Sequence, residues 1–328
     1  MSGAMNYCGF SYEADGRGYY HITPDKEIAK PKTFFKYYAL SDFSVDALTN
    51  MYIYATHPNQ FNDPFDCNEK LIKFDSWVDV KRLWDVLFVQ FQNDHPNLEE
   101  ACRESEKAFK TLLYRNLGLV SLAPVRNNYT MWALYSQNSG FCVEFDTNQF
   151  PFRHFGPFPI NYVDIIPGPI HIGEAGGSLS MLVQTNVKNL WWEYENEWRL
   201  YIPSPDGFDM QSFGKGAEQF NKMGDHDRKF KYPISSLKSI TLGKSFFDKL
   251  TTNMISISEV DVVCDPQKNR LENQVLDFLS KLQDVSKTQV LMIMPYGFSK
   301  HLFIEMCIVN YSENKYRLIE CNSNPIIQ

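Results

Sequence analysis

The period of the apolar positions changes several times along the chain, and each change marks an element. Over 77–115 apolar residues recur at helical intervals (Val80, Leu83, Trp84, Leu87, Phe88, Phe91). This predicts one helix, and the break at His95, Pro96 and Asn97 leads into a second through about Tyr114. The same spacing links Leu271, Val275, Leu279 and Leu282 behind Asp265 as a cap and Pro266 in the first turn, so a helix is expected to about Val285. Ser41 is suited to cap a short helix to about Asn50, and another helix is expected over 179–190. Runs rich in aromatic and β-branched residues predict strands over 33–40 (TFFKYYAL), 51–56, 118–122 (GLVSL), 140–145 (GFCVEF), 158–162, 195–202 and 239–242. Three more are expected over 288–294, 302–309 and 316–321.

The polar stretches between these elements suggest the organisation. Residues 6–32 are rich in turn signals and read as an arm or lid, while the leading MSGAM resembles a tag remnant and is set aside. Pro, Asn and Asp cluster over 58–66 (PNQFNDPFD), which predicts an ordered loop. The four glycines at 207, 214, 216 and 224 predict a long mobile loop over 204–229. The period shifts from helical to alternating near Ser286. The expected division is therefore an arm at 1–32, a main domain at 33–285 and a C-terminal β module at 286–328. The expected fold class is α+β: a mixed or antiparallel β core with a helical insertion and a C-terminal β meander.

Composition narrows the function classes. At 328 residues the chain can bury a substantial core, and 44% hydrophobic with 22% charged residues fits a globular protein. A net charge of −7 opposes nonspecific wrapping of nucleic acid, although Lys26, Lys30, Lys32 and Lys36, or Arg228, Lys229 and Lys231, could form a local basic groove or a solvated face. The seven cysteines show no CxxC spacing, so neither a zinc knuckle nor a disulfide framework is indicated, and a reducing cytoplasm is the expected compartment. No apolar run approaches the roughly 18–20 residues that span a bilayer, so no membrane partner is expected.

The sharpest chemical signal is WWEYENEWRL at 191–200. On a strand, Glu195, Glu197 and Arg199 share one face, and Tyr194, Asn196, Trp198 and Leu200 the other. Two carboxylates beside a guanidinium can supply both a fixed anion and a hydrogen-bonding acid; they can equally form salt bridges on a solvated sheet face. Asn62, Asp63 and Asp66 fall in the 58–66 loop, as ligand contacts or as an Asx-type turn. Trp132 and Tyr135 could stack a flat base or pack in a core. The histidines form no metal-binding pattern, so no tightly bound metal is expected.

Taken in order, FKYY with Lys36 and Tyr37, FNDPFD at 61–66, SLAPVRNNYTMWALYSQNSGFCVEF at 121–145 and WEYENEWRL at 192–200 resemble the bacterial domain-of-unknown-function family numbered 2971. The resemblance spans roughly residues 33–245 and implies a standalone intracellular bacterial protein of defence or stress. The order also resembles that of mono-ADP-ribosyltransferases, in which a polar or basic residue on a first strand, a Ser-containing second element and a later E-x-E pair form the NAD site. That resemblance implies NAD as a substrate, with Glu197 stabilising positive charge on the ribose beside Glu195, Lys36 or Tyr37 binding the dinucleotide and Ser121 on the second element. From the residues themselves, Arg199 is expected beside the acids, and Asn62, Asp63, Trp132 and Tyr135 join the expected binding set. The chain departs from the pattern in having Lys36 rather than Arg on the first strand and SLA at Ser121 rather than Ser-Thr-Ser.

Three function classes stay open. The first is an NAD-consuming transferase or glycohydrolase, such as a defence or toxin effector, that binds a nucleotide and modifies a protein or nucleic-acid acceptor. The second is a metal-dependent nuclease using Asp63, Asp66, Glu195 and Glu197. The third is a noncatalytic recognition protein.

Overall fold

The computed structural model describes residues 2–15, 20–86, 97–150, 156–166, 168–175, 177–203, 224–296, 300–321 and 326–327. Helices and mixed sheets give the expected α+β fold. The chain passes five times between two units, visiting each three times, rather than running through three successive modules. The first unit holds Met1–Lys30, Tyr54–Leu122 and Phe152–Phe230; the second holds Pro31–Ile53, Ala123–Pro151 and Lys231–Gln328.

In the first unit the expected N-terminal arm is a three-stranded antiparallel sheet of Ser2–Tyr7, Phe10–Asp15 and Tyr20–Pro24. Even the leading residues set aside as a tag remnant pair here, with Met5 opposite Tyr12. Tyr12 is the reason the sheet is not a lid. Its ring is fully buried in the unit's core beside Ile22, and its hydroxyl donates to Asn186 Oδ1 at 2.9 Å. Burying an aromatic ring with a satisfied hydroxyl outweighs the turn-rich composition of the segment. A second antiparallel sheet orders Leu117–Leu122, Trp198–Pro203 and Phe158–Pro159, with Arg199 opposite Ser121 on one side and Phe158 on the other.

Helices Trp77–Val86 and Leu98–Asn116 match the predicted pair, and Asn97 caps the second by accepting from Glu100 N; positions 87–96, including Leu87, Phe88 and Phe91, lie outside the described residues. The helix expected over 179–190 is Gly177–Asn186. It stops where Val187–Asn189 pairs in parallel with Asn161–Val163, and the Asn186 amide donates to Pro159 O. Of the loop expected over 204–229, positions 204–223 lie outside the described residues; beyond them Arg228 is buried and donates to the carbonyls of Ala55 and Leu117 rather than lining a basic groove.

The second unit is built on a nine-stranded sheet. Its order is Thr251–Met254, Glu259–Val263, Lys315–Glu320, Lys300–Ser312, Gln289–Tyr296, Leu237–Leu242, Phe141–Phe145 and Phe34–Tyr38, with Ile326–Ile327 beside Lys300–Ser312. The strands after Ser286 are thus part of the same sheet, because Gln289–Tyr296 pairs in parallel with Leu237–Leu242. The connection between those two parallel strands includes helix Arg270–Val285, which buries Val275, Leu276, Leu279 and Leu282. That helix ends where predicted but starts later than expected, since Asp265 accepts from Gln267 N in an Asx-type turn and Asn269 takes the cap position. Helix Asp42–Thr49 starts as expected on Ser41, in a capping box with Ser44. Cys307 and Cys321 form a single disulfide, which the spacing did not indicate, while Cys8, Cys67, Cys102, Cys142 and Cys264 are free. No helix among the described residues is long and apolar enough to cross a membrane.

Candidate functional site

The predicted site residues divide between the two units. Lys36, Tyr37, Trp132 and Tyr135 belong to the second unit, where Tyr37 and Trp132 are core residues rather than a platform for a flat ligand. The Trp132 ring is 1% exposed, meets Tyr37 edge-on at 5.2 Å, and its Nε1 donates to Arg126 O at 2.8 Å. The Tyr37 hydroxyl is satisfied by Val125 O and Arg126 O, and Tyr135 packs at the edge of the same cluster. Lys36 is half-buried with its ammonium 5.6 Å from the Tyr38 ring centre.

In the first unit, Glu195, Glu197 and Arg199 converge as expected, but not by strand alternation. Residues Leu190–Glu195 form a 3-10 turn capped by Asn189, and Asn196 adopts the left-handed conformation with φ 46°. Only from Trp198 does the chain become a strand. Asn tolerates this conformation better than most residues, and the bend it makes lets both acids face one lysine. That lysine, Lys188, donates to Glu195 Oε2 at 2.6 Å and Glu197 Oε2 at 3.1 Å, and stands 5.0 Å from the Trp192 ring centre.

Arg199 is the centre of the arrangement. Its Nη1 and Nη2 each donate to one oxygen of Asp66 at 2.9 Å, a bidentate fork. Nε donates to Glu197 Oε1 at 2.8 Å, Nη2 lies 2.8 Å from the same oxygen, and Nη1 also donates to Thr185 O at 2.6 Å. The Phe61 ring covers the guanidinium at 4.7 Å. From the neighbouring strand the Ser121 hydroxyl donates to Glu197 Oε1 at 2.5 Å, and the Glu197 backbone N–H donates to the Tyr162 hydroxyl at 2.8 Å. Three carboxylates and two cations are thereby held together, with Arg199 0%, Lys188 2%, Glu197 3% and Glu195 4% exposed.

Burial alone would push the Glu197 carboxyl up, but the Arg199 and Lys188 charges and the Ser121 hydrogen bond overcome it and hold it down at about 2 from an ordinary 4.5. Burial likewise works against charge on Lys188, yet Glu197, Glu195 and Asp66 raise it, so the lysine stays an ammonium. A carboxyl whose folded pKa is depressed contributes stability that is present above its unfolded value and lost as the folded value is approached. Glu197 should therefore make unfolding midpoints fall steeply between pH 4.5 and 2. Glu197→Gln should remove that part of the profile in urea titrations. An identical acid profile in the variant would contradict the ionised, cation-held state.

Lys188 was missed by the sequence reading because it falls in a stretch that read as helix. Asp66 entered as a loop acid and a nuclease metal ligand, not as the partner of Arg199. The Asn62–Asp66 loop keeps its turn role: Asp63 Oδ1 accepts from Phe65 N, Asn62 is exposed, and Asp66 reaches the cluster. Elsewhere in this unit Asp75, Asp79 and His171 bring ligand atoms within 4.8 Å of one another, the one group of metal-ligand spacing among the described residues. Asp79 is already committed, accepting from Ser76 and Asp75 N–H, Ser76 Oγ and Gly173 N–H. No protein-family model, curated protein or solved structure matches the chain, so the resemblances rest on the motifs themselves.

Proposed function

We propose that the first unit carries an NAD-consuming activity, ADP-ribosyl transfer or glycohydrolysis, with Glu197 as its electrostatic group. The observation that carries this reading is the Ser121–Glu197 hydrogen bond, which joins a serine on an earlier strand to the second acid of an E-x-E pair. In the reaction the bond between the ribose C1′ and the nicotinamide nitrogen breaks, its electron pair leaves with nicotinamide, and positive charge spreads over the ribose. A carboxylate that stays ionised can stabilise that charge, and water or an acceptor nucleophile then adds at C1′. Ser121 is only half-buried, so its hydroxyl is the side from which a ribose would approach Glu197. A bacterial defence or toxin role is the setting that the resemblance implies.

A second reading is favoured by a specific observation. Both Glu197 oxygens are engaged, by Ser121 and Arg199 on one side and Lys188 on the other, which also suits a purely architectural ion cluster. A metal-dependent nuclease has less support, because Mg²⁺ at Asp66, Glu195 and Glu197 would have to displace two fixed cations. The purified chain should release nicotinamide from NAD in the presence of a chelator. Nucleic-acid cleavage that needs Mg²⁺, with NAD untouched, would overturn the proposal, and inertness towards both would leave the architectural reading.

A further inference from the structure

A cavity of about 400 Å³ opens in the first unit on residues that the Glu197 cluster does not use. Its chemistry is divided. Arg103, Lys107 and Lys110 project from helix Leu98–Asn116 at i, i+4 and i+7, one face of the helix, and Lys70 joins them from a neighbouring turn; Glu106 is the single carboxylate in the lining. Beneath the charges the wall is apolar, with the Phe74 and Phe109 rings 6.1 Å apart at 60°. Gln184, 2% exposed, completes the lining. Its Nε2 donates to Cys67 O at 3.1 Å, while its Oε1 is buried without a hydrogen-bond partner. A buried acceptor left unmatched is costly, so a donor supplied by a ligand would be rewarded there.

We propose that this cavity binds a nucleotide: a flat heteroaromatic body against Phe74 and Phe109, an N–H donor matched to Gln184 Oε1, and a phosphate among Lys70, Arg103, Lys107 and Lys110. Each part of the lining selects one part of that ligand. Inorganic phosphate would leave the aromatic wall and the amide unused, and an aliphatic anion would leave Gln184 unmatched. The volume lies within the range of small-molecule sites. The inference stands apart from the role given to Glu197, because it concerns different side chains and is read by binding rather than turnover.

The test is calorimetric titration of the full chain with AMP, adenosine, inorganic phosphate and purine riboside 5′-monophosphate, which lacks the exocyclic amine. AMP should bind, and loss of its phosphate should weaken binding by roughly tenfold or more. Loss of the amine should weaken it by roughly fivefold to tenfold. Lys107→Glu, on an exposed position that should not disturb folding, should weaken AMP by roughly tenfold and leave adenosine unchanged. Gln184→Leu should erase the preference for AMP over purine riboside 5′-monophosphate. No heat with millimolar AMP would overturn the proposal, as would an unchanged affinity in Lys107→Glu, or inorganic phosphate binding as tightly as AMP. Equal binding of the two purine phosphates to the wild type would overturn the assignment of Gln184.

Discussion

Replacing Arg199 with methionine is expected to destabilise the first unit by about 3–5 kcal/mol, the range for breaking a buried ion pair by removing one partner. The charge count explains why. The wild-type cluster sets Asp66, Glu195 and Glu197 against Lys188 and Arg199, and removing the guanidinium leaves three carboxylates with one cation. Asp66 then loses its bidentate partner in a place where its side chain is wholly buried, and Thr185 O loses a donor. Methionine fills much of the volume, so the loss reports charge and hydrogen bonding more than a cavity. Arg199→Lys should rescue little, because one ammonium cannot form the fork to Asp66 while also reaching Glu197 and Thr185. Urea unfolding followed by far-UV circular dichroism measures the effect. Adding Asp66→Asn to Arg199→Met should recover part of the loss, since the two residues are coupled through their contact. A loss below about 1 kcal/mol would be the value for an exposed pair and would contradict burial of the cluster.

Much of the fold was legible in the sequence where a single local rule applied. Ser41 capped its helix, Asn97 began the second helix of the predicted pair, and the strands around Val120 and Val143 lay where β-branched and aromatic residues clustered. The misreadings of the N-terminal arm and of the C-terminal module share a cause: tertiary partners distant in sequence. Tyr12 looked like part of a polar arm because Asn186, which accepts its hydroxyl, is 174 residues away. The strands after Ser286 looked like a module because periodicity does not reveal that Gln289–Tyr296 pairs with Leu237–Leu242.

The site was legible in part for the same reason. WEYENEWRL correctly brought Glu195, Glu197 and Arg199 together, yet the turn at Asn196, not strand alternation, does so. Two further members of the cluster could not be joined to this motif by local rules, since Lys188 fell in a stretch that read as helix and Asp66, although noted in its loop, is 133 residues from Arg199. The aromatic pair Trp132 and Tyr135 had the composition of a ligand platform, but Trp132 resolved into core, the commoner fate of a large ring.

The role given to Glu197 predicts the largest functional effect. Glu197→Gln keeps the side chain's shape, and its charge arithmetic is mild. Asp66 and Glu195 remain against Lys188 and Arg199, so each cation retains a carboxylate and the cluster becomes neutral. The variant should therefore fold, whereas Arg199→Met strains the same cluster from the other side. If the carboxylate stabilises positive charge on the ribose, removing it should lower the rate by roughly two to three orders of magnitude, as for other preorganised electrostatic groups. Ser121→Ala should give a smaller loss, because it removes one hydrogen bond from a carboxylate that Arg199 and Lys188 still hold. The most direct measurement is nicotinamide release from labelled NAD at pH 7 with chelator present, wild type beside Glu197→Gln, each checked for a native circular dichroism spectrum. The account predicts release by the wild type and a loss of roughly 10²–10³-fold in the folded variant; equal rates in the two proteins, or no release by the wild type, would contradict it.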